Sequence, residues 1–236
     1  MNKEAKFLIK IVKQAAKLID SNFIVNTKGD KGDLVTDLDY KVELFLTNKM
    51  KKYYPDFDIV SEEFNAGKKL SKNCFTIDPI DGTINFANNL PLWAIQVACI
   101  KDGETCASVI YAPKLNELYY ADETGAYLNG KKIHVNSSNI QASLYVIECA
   151  TEDKTGYIKK VVPYSIHARA TYCSAINYAW VARGSLGAAV FMLKNLWDYV
   201  PGLYLVKQAG GAVIDKSNKH IGANTKEFAK LLDKIL

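Results

Sequence analysis

The sequence predicts an α/β protein in which two sheet-bearing halves are fused into one unit. Up to about residue 140, short β-like runs follow one another with turn signals between them, which favours an antiparallel sheet. Beyond that point predicted strands and helices alternate, which favours a parallel or mixed sheet covered by helices. No long linker or internal repeat separates the two halves. We therefore expect a single domain over residues 1–236, with an antiparallel-sheet half at 1–140 and a mixed or parallel-sheet half at 141–236.

The first half opens with two predicted helices. Over residues 4–20 apolar side chains recur at helical spacing, while four lysines share the opposite face. Such a helix also suits a membrane surface, but we favour a solvated lysine face over a core stripe. A polar, glycine-containing loop is expected at 27–33, and a second helix at 39–53, ended by Pro55.

The remaining elements follow from the change in hydrophobic period. Strands of the first half are predicted at 57–60, 74–77, 93–100, 106–112, 117–121 and 125–135. The last of these runs contains Asn129-Gly130, which favours a two-residue hairpin turn. In the second half, strands are predicted at 144–149, 188–191 and 212–214, and helices at 175–183, 198–208 and 225–235.

Composition excludes several kinds of site. The three histidines are scattered, and the five cysteines form no C-x-x-C pair, which argues against zinc, an iron–sulfur cluster and a disulfide framework. Carboxylates and hydroxyls are left to carry any chemistry, in a cytoplasm that keeps thiols reduced. The charged N-terminal segment is unlike a signal peptide, and the mostly apolar stretch 90–100 is too short to span a bilayer. A net charge of +5 does not by itself indicate nucleic acid.

Three acidic segments lie where a predicted element ends or begins. Ser61-Glu62-Glu63 follows one strand, Asp78-Pro79-Ile80-Asp81-Gly82-Thr83 follows the next, and Trp197-Asp198 opens a helix. Open α/β sheets place their ligands at strand ends, so we expect these carboxylates to project into one crevice.

The residue types in these segments predict a magnesium and phosphate site. Carboxylates without histidine or cysteine partners suit hard cations, and Mg²⁺ binds a few of them while keeping waters and substrate phosphate as further ligands. Asp78, Asp81 and the Ile80 carbonyl are able to face one site because Gly82 permits a tight turn. If a helix begins at Thr83, the Gly82 and Thr83 amides form a cradle for an anion.

Each segment also has an ordinary structural explanation. The D-P-x-D-G pattern is typical of a tight turn. Glu62 and Glu63 are also compatible with a solvated acidic pair. Asp198 is compatible with a helix N-cap that has Pro201 in the first turn. The functional interpretation therefore depends on the occurrence of all three segments together.

Five motifs occur in order along most of the chain. They are Asp33-Leu34-Val35-Thr36-x-x-Asp39, Ser61-Glu62-Glu63, Asp78-Pro79-Ile80-Asp81-Gly82-Thr83, Trp197-Asp198-x-x-Pro201-Gly202 and Gly210-Gly211-x-Val213-Ile214-Asp215. This set resembles the inositol monophosphatase family of Mg²⁺-dependent, lithium-sensitive phosphatases. The resemblance implies the layered α-β-α-β-α sandwich of that superfamily, hydrolysis of a small phosphomonoester, and a homodimer in the cytoplasm.

The resemblance also implies roles for individual residues. The family's metal ligands match Glu62, Asp78, the Ile80 carbonyl, Asp81 and Asp198. Its catalytic residues match Glu62, Thr83 and Asp39, the last near the nucleophilic water and a weaker third metal. Its phosphate and substrate contacts match Asp81, Gly82, Thr83, Lys28, Ser174 and Ala175. The mechanism implied is in-line attack by a water that Glu62 and Thr83 hold and one Mg²⁺ activates, while a second Mg²⁺ stabilises the leaving alkoxide.

The departures from the family pattern concern the substrate. When the family pattern is aligned without gaps back from Asp198, an acidic residue of the family falls on Gly187. The family's glutamate that contacts inositol hydroxyls falls on Phe191. Phenylalanine does not accept hydrogen bonds from a polyol, although Phe191 also suits a plain core strand. Inositol 1-phosphate is the family default, and fructose 1,6-bisphosphate, NADP and 3′-phosphoadenosine nucleotides are the alternatives.

A second class of function also fits the sequence. A non-catalytic protein that retains the fold would bind a partner through its N-terminal part, where residues 1–52 hold 11 lysines against 7 acidic residues. The presence of a carboxylate at every acidic metal-ligand position favours the enzyme. We expect a phosphorylated small molecule as the substrate, without a nucleic-acid or membrane partner.

Overall fold

The computed structural model of the protein describes residues 1–20, 22–28, 33–149 and 154–236. Within these ranges the strands are β1 (Val25–Lys28), β2 (Asp33–Thr36), β3 (Asp58–Ser61), β4 (Cys74–Asp81), β5 (Ala94–Lys101), β6 (Glu104–Ala112), β7 (Glu117–Asp122), β8 (Gly125–Leu128), β9 (Lys131–Ile133), β10 (Tyr145–Glu148), β11 (Ala168–Arg169), β12 (Ala188–Phe191), β13 (Ala212–Lys216) and β14 (Lys219–Ala223). The helices are α1 (Lys3–Ala15), α2 (Asp37–Tyr53), α3 (Thr83–Ala87), α4 (Lys154–Val161), α5 (Ser174–Ala182), α6 (Leu196–Gln208) and α7 (Lys226–Ile235).

The larger sheet has seven strands in the order β3-β4-β5-β6-β7-β8-β9. Strands β3 and β4 run parallel, and every other neighbouring pair in this sheet is antiparallel. The turn between β8 and β9 contains Asn129 and Gly130, both with positive φ, as a two-residue hairpin turn requires. The predicted succession of antiparallel strands is confirmed from β4 to β9, whereas β3 runs parallel to its neighbour.

Helices α1 and α2 cover one face of this sheet. Leu8, Ile11 and Val12 of α1 are at most 2% exposed and pack with Val42 and Leu46 of α2 in one apolar cluster. Helix α1 ends at Ala15 and continues as a single 3₁₀ turn to Leu18, so it is shorter than the predicted 4–20. Burying its apolar stripe stabilises the helix more than its intrinsic propensity does.

The smaller sheet has five strands in the order β11-β10-β12-β14-β13. Strand β10 is parallel to both β11 and β12, whereas β14 is antiparallel to β12 and β13, so this sheet is mixed as predicted. Helices α5 and α6 lie between the two sheets, because their buried side chains share one cluster with residues of β6, β7 and β12. Helices α4 and α7 cover the opposite face of the smaller sheet.

The chain therefore forms five layers, with α1 and α2, the larger sheet, α5 and α6, the smaller sheet, and α4 and α7 in succession. The predicted α-β-α-β-α sandwich is confirmed. None of the helices in the described ranges has the length and apolar character needed to cross a bilayer.

Some local elements differ from the prediction. The loop expected at 27–33 instead contributes to a hairpin of β1 and β2, and residues 29–32 lie outside the described residues. Helix α2 begins two residues early, at Asp37, because the Asp39 carboxylate accepts the backbone N–H and hydroxyl of Thr36 at 2.7 and 2.6 Å. Helix α4 and strands β11 and β14 have no counterpart in the prediction, since they are short or rich in lysine and glycine.

Candidate active site

Asp78 and Asp81 lie at the end of β4, a strand whose residues are all buried. The register of β4 against β5 shifts between them, so that Asp78 pairs with Gln96 and Asp81 with Ala94. A bulge of this kind re-aims side chains, and here it brings both carboxylates to one amide. The Gln96 Nε2 atom donates to Asp81 Oδ2 at 3.2 Å and lies 3.5 Å from Asp78 Oδ2. Nothing in the sequence marks Gln96, which stands within a buried and mostly apolar strand.

Helix α6 supplies the third carboxylate, Asp198. The alternative that Asp198 is the helix N-cap is wrong, because Asn195 occupies that position and its carbonyl accepts the Asp198 N–H at 3.1 Å. Pro201 lies inside the helix and not in its first turn. Asp198 is therefore free of a capping role and is carried toward β4 by the first turn of α6.

Asp78, Asp81 and Asp198 form one acidic group, in which a carboxylate oxygen from each residue lies within 4.8 Å of the other two. Burial raises the pKa of Asp78 and of Asp198 well above the ordinary value, and neighbouring carboxylates raise both further. Burial also raises the pKa of Asp81, to about 6. Two buried acids and a half-buried one so close together favour protonation or a bound cation, since like charges shielded from water repel.

The donor set of this group fits a hard divalent cation. The Oδ1 atom of Asp78 is buried and has no hydrogen-bond partner among the described residues. A buried oxygen without a donor is uncommon and indicates a ligand that the protein itself does not supply. Because the available ligand atoms are all oxygens, Mg²⁺ fits the group better than zinc or copper.

Glu62, a predicted metal ligand, lies outside the group of three carboxylates but lines the same cavity. Its Oε1 atom accepts from Lys28 Nζ at 3.0 Å, and Glu63 Oε1 accepts from the same nitrogen at 2.5 Å. Burial lowers the pKa of Lys28, but the two carboxylates more than reverse this effect and raise it above the ordinary value. Burial and the Glu62 charge raise the pKa of Glu63 to about 7.

Glu62 and Glu63 are therefore not a solvated acidic pair, since the Glu63 side chain is only 2% exposed. The backbone of this segment is held by Glu43 of α2, which sequence reasoning missed. The Glu43 carboxylate accepts from Ser61 Oγ at 2.5 Å and from the backbone N–H groups of Glu63 and Phe64 at 2.7 and 3.0 Å. Glu43 lies about one helical turn after Asp39, but a single acidic residue within a helix carries no sequence signal for this role.

Asp39 and Thr83, both predicted catalytic residues, are neighbours. Thr83 Oγ1 donates to the Ile80 carbonyl at 2.9 Å and lies 3.4 Å from Asp39 Oδ1. Asp39 Oδ2 is engaged by Thr36, and burial raises the pKa of Asp39 to about 6. The hydroxyl of Thr83 therefore has a fixed direction beside the acidic group.

The predicted anion cradle begins at Gly82, which caps α3 with φ +85°. A Cβ atom at this position would lie 2.8 Å from the carbonyl oxygen of Leu92, so the turn needs glycine for space as well as for backbone conformation. Helix α3 does begin at Thr83, as the prediction required. Phosphate binding by these amides stays a prediction.

Ser174 and Ala175, predicted to border the substrate, are placed around Asp81. Ser174 Oγ and the Ala175 N–H donate to Asp81 Oδ2 at 3.0 and 2.5 Å, and Cys173 Sγ lies 3.4 Å from the same oxygen. These contacts favour the charged form of Asp81 and fix its orientation. They connect the start of α5 to the acidic group, while a direct contact with substrate stays a prediction.

A cavity of about 520 Å³ opens over the acidic group. Its far side is lined by Ile84, Glu148, Cys149, Tyr172, Phe191 and Leu193. Phe191 ends β12 opposite Glu148 of β10 and is 5% exposed. Gly187, the other departure from the family pattern, packs so tightly that a Cβ atom would lie 2.4 Å from the Ser143 side chain, which leaves no room for an acid.

Comparisons with known proteins identify the family of the chain. Residues 1–232 match the model of the inositol monophosphatase family. The chain is 35% identical over 235 residues to a Thermotoga maritima protein named fructose-1,6-bisphosphatase/inositol-1-monophosphatase, covering 94% of this chain and 88% of that protein. It is 29% identical over 245 residues to inositol monophosphatase 1 of Xenopus laevis, covering 94% and 86% respectively.

A solved structure gives the same result in three dimensions. The Thermotoga maritima IMPase superposes with a TM-score of 0.86 at 29% identity, covering 98% of this chain and 96% of that one. The family match over residues 1–232 and the shared fold lead to one conclusion. The chain belongs to the inositol monophosphatase family and is a magnesium-dependent phosphomonoesterase of that family.

Proposed function

We propose that this phosphomonoesterase cleaves inositol 1-phosphate and related small phosphomonoesters by direct attack of water on phosphorus. The observation that carries the proposal is the group of Asp78, Asp81 and Asp198 beside the Gly82 turn, with Asp78 Oδ1 lacking a hydrogen bond within the described chain. Mg²⁺, when bound there, supplies the positive charge that makes a water more acidic and neutralises the departing oxygen.

Thr83 and Glu62 orient the attacking water in this proposal. The Thr83 hydroxyl donates to the Ile80 carbonyl at 2.9 Å, so its oxygen presents a lone pair to an O–H of the water. Glu62 lines the same cavity and is held by Lys28, which prevents its carboxylate from turning away. Asp39 fixes Thr83 from behind, since its Oδ1 lies 3.4 Å from the hydroxyl.

The phosphate is held at the start of α3. The amides of Gly82 and Thr83 stand at a helix N-terminus, where N–H groups lack intrahelical partners. Because a side chain at position 82 would collide with the Leu92 carbonyl, the backbone itself forms the surface of the turn.

Phosphate release from inositol 1-phosphate tests the proposal. We expect Mg²⁺-dependent release by the wild type, loss of release in EDTA, and weak Mg²⁺ binding by Asp81→Asn in calorimetry. Asp56→Asn is the matched control, since Asp56 is exposed and outside the site. Equal Mg²⁺ titration by the wild type and by Asp81→Asn would contradict the assigned metal site.

A second substrate has specific support. The Thermotoga maritima relative is named for fructose 1,6-bisphosphatase as well as for inositol monophosphatase activity. Fructose 1,6-bisphosphate therefore belongs in the same assay, together with NADP and a 3′-phosphoadenosine nucleotide. Inactivity on every substrate with Mg²⁺ present would favour a non-catalytic binding protein that retains the fold.

The proposal extends to three family properties. We infer inhibition by lithium, a homodimer, and a small-molecule role in the cytoplasm, all supported by membership of the family. Membership does not support the absence of a nucleic-acid partner, since an Escherichia coli relative is named Nus factor SuhB. Lithium titration of phosphate release and the mass measured by light scattering test the first two. A monomeric mass at micromolar concentration would contradict the dimer.

A further inference from the structure

We propose that His220 is a positioning residue for the metal site, because its imidazole ring holds the first turn of α6, which carries Asp198. The inference rests on the proposed function, which assigns Asp198 to Mg²⁺. His220 is not among the residues that line the active-site cavity, so it acts through its neighbours and not through contact with metal or substrate.

His220 is fixed in the smaller sheet by a bond to Asp215. Of the three histidines, all within the described ranges, only His220 is buried, with 2% of its surface exposed. It lies in β14 directly opposite Asp215 of β13, and its Nδ1 atom is 2.7 Å from Asp215 Oδ1. Because a carboxylate oxygen only accepts hydrogen bonds, Nδ1 carries the hydrogen. This bond sets the plane of the imidazole ring.

One face of that ring contacts Tyr199 of α6. The two ring centroids are 3.4 Å apart and the ring planes are 8° from parallel, so the imidazole lies flat against the tyrosine ring. Tyr199 is 7% exposed and follows Asp198 directly in the helix. Because neighbouring residues share a rigid peptide plane, a contact that fixes the Tyr199 side chain also restricts the backbone of Asp198.

The first turn of α6 needs support from outside the helix. The Asp198 N–H has no helical carbonyl four residues earlier and donates instead to the Asn195 carbonyl at 3.1 Å. Pro201 has no N–H, so the Trp197 carbonyl lacks the donor that a regular helix would provide. The backbone bonds around Asp198 are therefore incomplete, and side-chain packing has a larger share in holding this turn.

The backbone of His220 is anchored to the other helix of the site. Its carbonyl accepts the Tyr178 hydroxyl of α5 at 2.8 Å, and Tyr178 is buried. The start of α5 holds Asp81 through Ser174 Oγ and the Ala175 N–H. His220 therefore contacts both of the helices whose first turns hold the acidic group.

Packing alone does not explain a histidine at this position. The Nε2 atom is buried and has no hydrogen-bond partner among the described residues. A buried polar atom without a partner lowers stability, and phenylalanine or leucine would fill a similar space without this cost. What the imidazole adds is a flat ring whose plane is fixed through Nδ1. That combination suits a role in orienting Tyr199 and, through it, Asp198.

Calorimetric titration of Mg²⁺ without substrate tests the inference in three variants. His220→Leu removes the flat ring, and we expect it to lower Mg²⁺ affinity by about 10-fold, the lower end of the range for residues that support metal ligands. Asp215→Ala frees the ring by a change at an exposed side chain and should lower the affinity by about threefold. His220→Phe keeps a flat ring, so its affinity should lie between those of His220→Leu and the wild type.

Asp233→Ala is the matched control for Asp215→Ala. It also removes a partly exposed carboxylate beside β13, where Asp233 pairs with Lys216 at 2.5 Å. Asp233 belongs to α7, which covers the face of the smaller sheet opposite to α6. We therefore expect this variant to bind Mg²⁺ with the affinity of the wild type.

Two readouts separate positioning from a merely structural role. Scanning calorimetry identifies a temperature at which every variant is folded, and the Mg²⁺ titrations are made there. In ¹H–¹⁵N spectra of the histidine rings, Mg²⁺ should shift the signals of His220 and leave those of the exposed His134 unchanged. If His220→Leu and Asp215→Ala lower Tm but keep the Mg²⁺ affinity within about twofold of the wild type, the inference is overturned. Should His220→Leu fail to fold, Asp215→Ala decides, because its side chain is 57% exposed.

The outcomes also distinguish this inference from the proposed function. If no phosphomonoester is hydrolysed but His220→Leu and Asp215→Ala still weaken Mg²⁺ binding, the proposed function fails and the inference stands. If the esters are hydrolysed and both variants bind Mg²⁺ like the wild type, the inference fails and the phosphatase stands. A wild type that binds no Mg²⁺ would overturn both.

Discussion

Replacing Gly202 by alanine tests how the packing of α6 against α5 supports the metal site. Gly202 lies inside α6, and a Cβ atom there would lie 2.3 Å from Cδ2 and 2.6 Å from Cβ and Cγ of Tyr178. Carbon atoms in contact normally stay at least about 3.5 Å apart, so the two helices must separate or Tyr178 must move. Tyr178 is 1% exposed, and its hydroxyl donates to the His220 carbonyl at 2.8 Å.

The expected cost follows from this contact. Alanine is favoured over glycine within a helix by about 1 kcal/mol. Overpacking a rigid core contact typically costs about 1–3 kcal/mol or more, and here the root of the Tyr178 side chain blocks relaxation. We therefore expect a net destabilisation of about 1–2 kcal/mol, which lowers Tm by roughly 2–8 °C for a chain of this length.

The displacement should also reach the carboxylates. Asp198 stands in the first turn of α6, while Ser174 and Ala175 at the start of α5 hold Asp81. Separating the helices moves the three carboxylates apart, so we expect the Mg²⁺ affinity to fall by on the order of 10-fold. Losses of this size are typical when the contacts that orient metal ligands are disturbed.

Scanning calorimetry gives Tm, and isothermal titration gives Mg²⁺ affinity. Gly67→Ala is the matched control, because no atom lies within 4 Å of a Cβ atom at that position. In a Tyr178→Ala background the cost of Gly202→Ala should fall by about 1 kcal/mol, since the contacts with Cδ2 and Cγ are gone, but it should not vanish because the Cβ contact at 2.6 Å remains. Unchanged Tm and Mg²⁺ affinity in Gly202→Ala would refute the assigned packing of the two helices.

Three further predictions concern the site itself. Glu62→Gln should lose most turnover, because Glu62 is assigned to hold the attacking water, yet still bind inorganic phosphate; near-normal turnover would remove that role. The free energy of unfolding of the metal-free protein should fall as pH rises from about 4 to about 7. Burial raises the pKa of Asp39 and of Asp81 to about 6, so in this pH range the folded state keeps protons that the unfolded state has released. The loss in unfolding free energy is roughly 3 kcal/mol for Asp39, and chemical denaturation at each pH measures it. Added Mg²⁺ should make unfolding free energy depend less steeply on pH. An unfolding free energy that stays constant or rises with pH in the absence of metal would contradict this prediction. Gly82→Ala should abolish phosphate binding and lower Tm, because a Cβ atom would lie 2.8 Å from the Leu92 carbonyl oxygen. If calorimetry shows that this variant retains its phosphate affinity, the turn does not hold the anion.

Hydrophobic period and turn chemistry predicted most of the regular elements. The antiparallel strands of the larger sheet and the Asn129-Gly130 hairpin depend on contacts close in sequence. The alternation after residue 140 is visible in the local hydrophobic period, although β10 and β12 pair from distant parts of the chain. Helix α4 and strand β14 escaped prediction because their lysines and glycines dilute the pattern, and only packing against the smaller sheet selects their structure.

The sequence by itself determined the family, the five-layer fold and the acidic segments, because those carboxylates lie at strand and helix ends that can be read locally. Only the tertiary structure decided how they are held. Gln96 and Glu43 orient the acidic residues, and Tyr172 reaches the cavity through a left-handed turn. These are contacts between residues far apart in the chain, and side-chain hydrogen bonds across such distances have no periodic trace in the sequence.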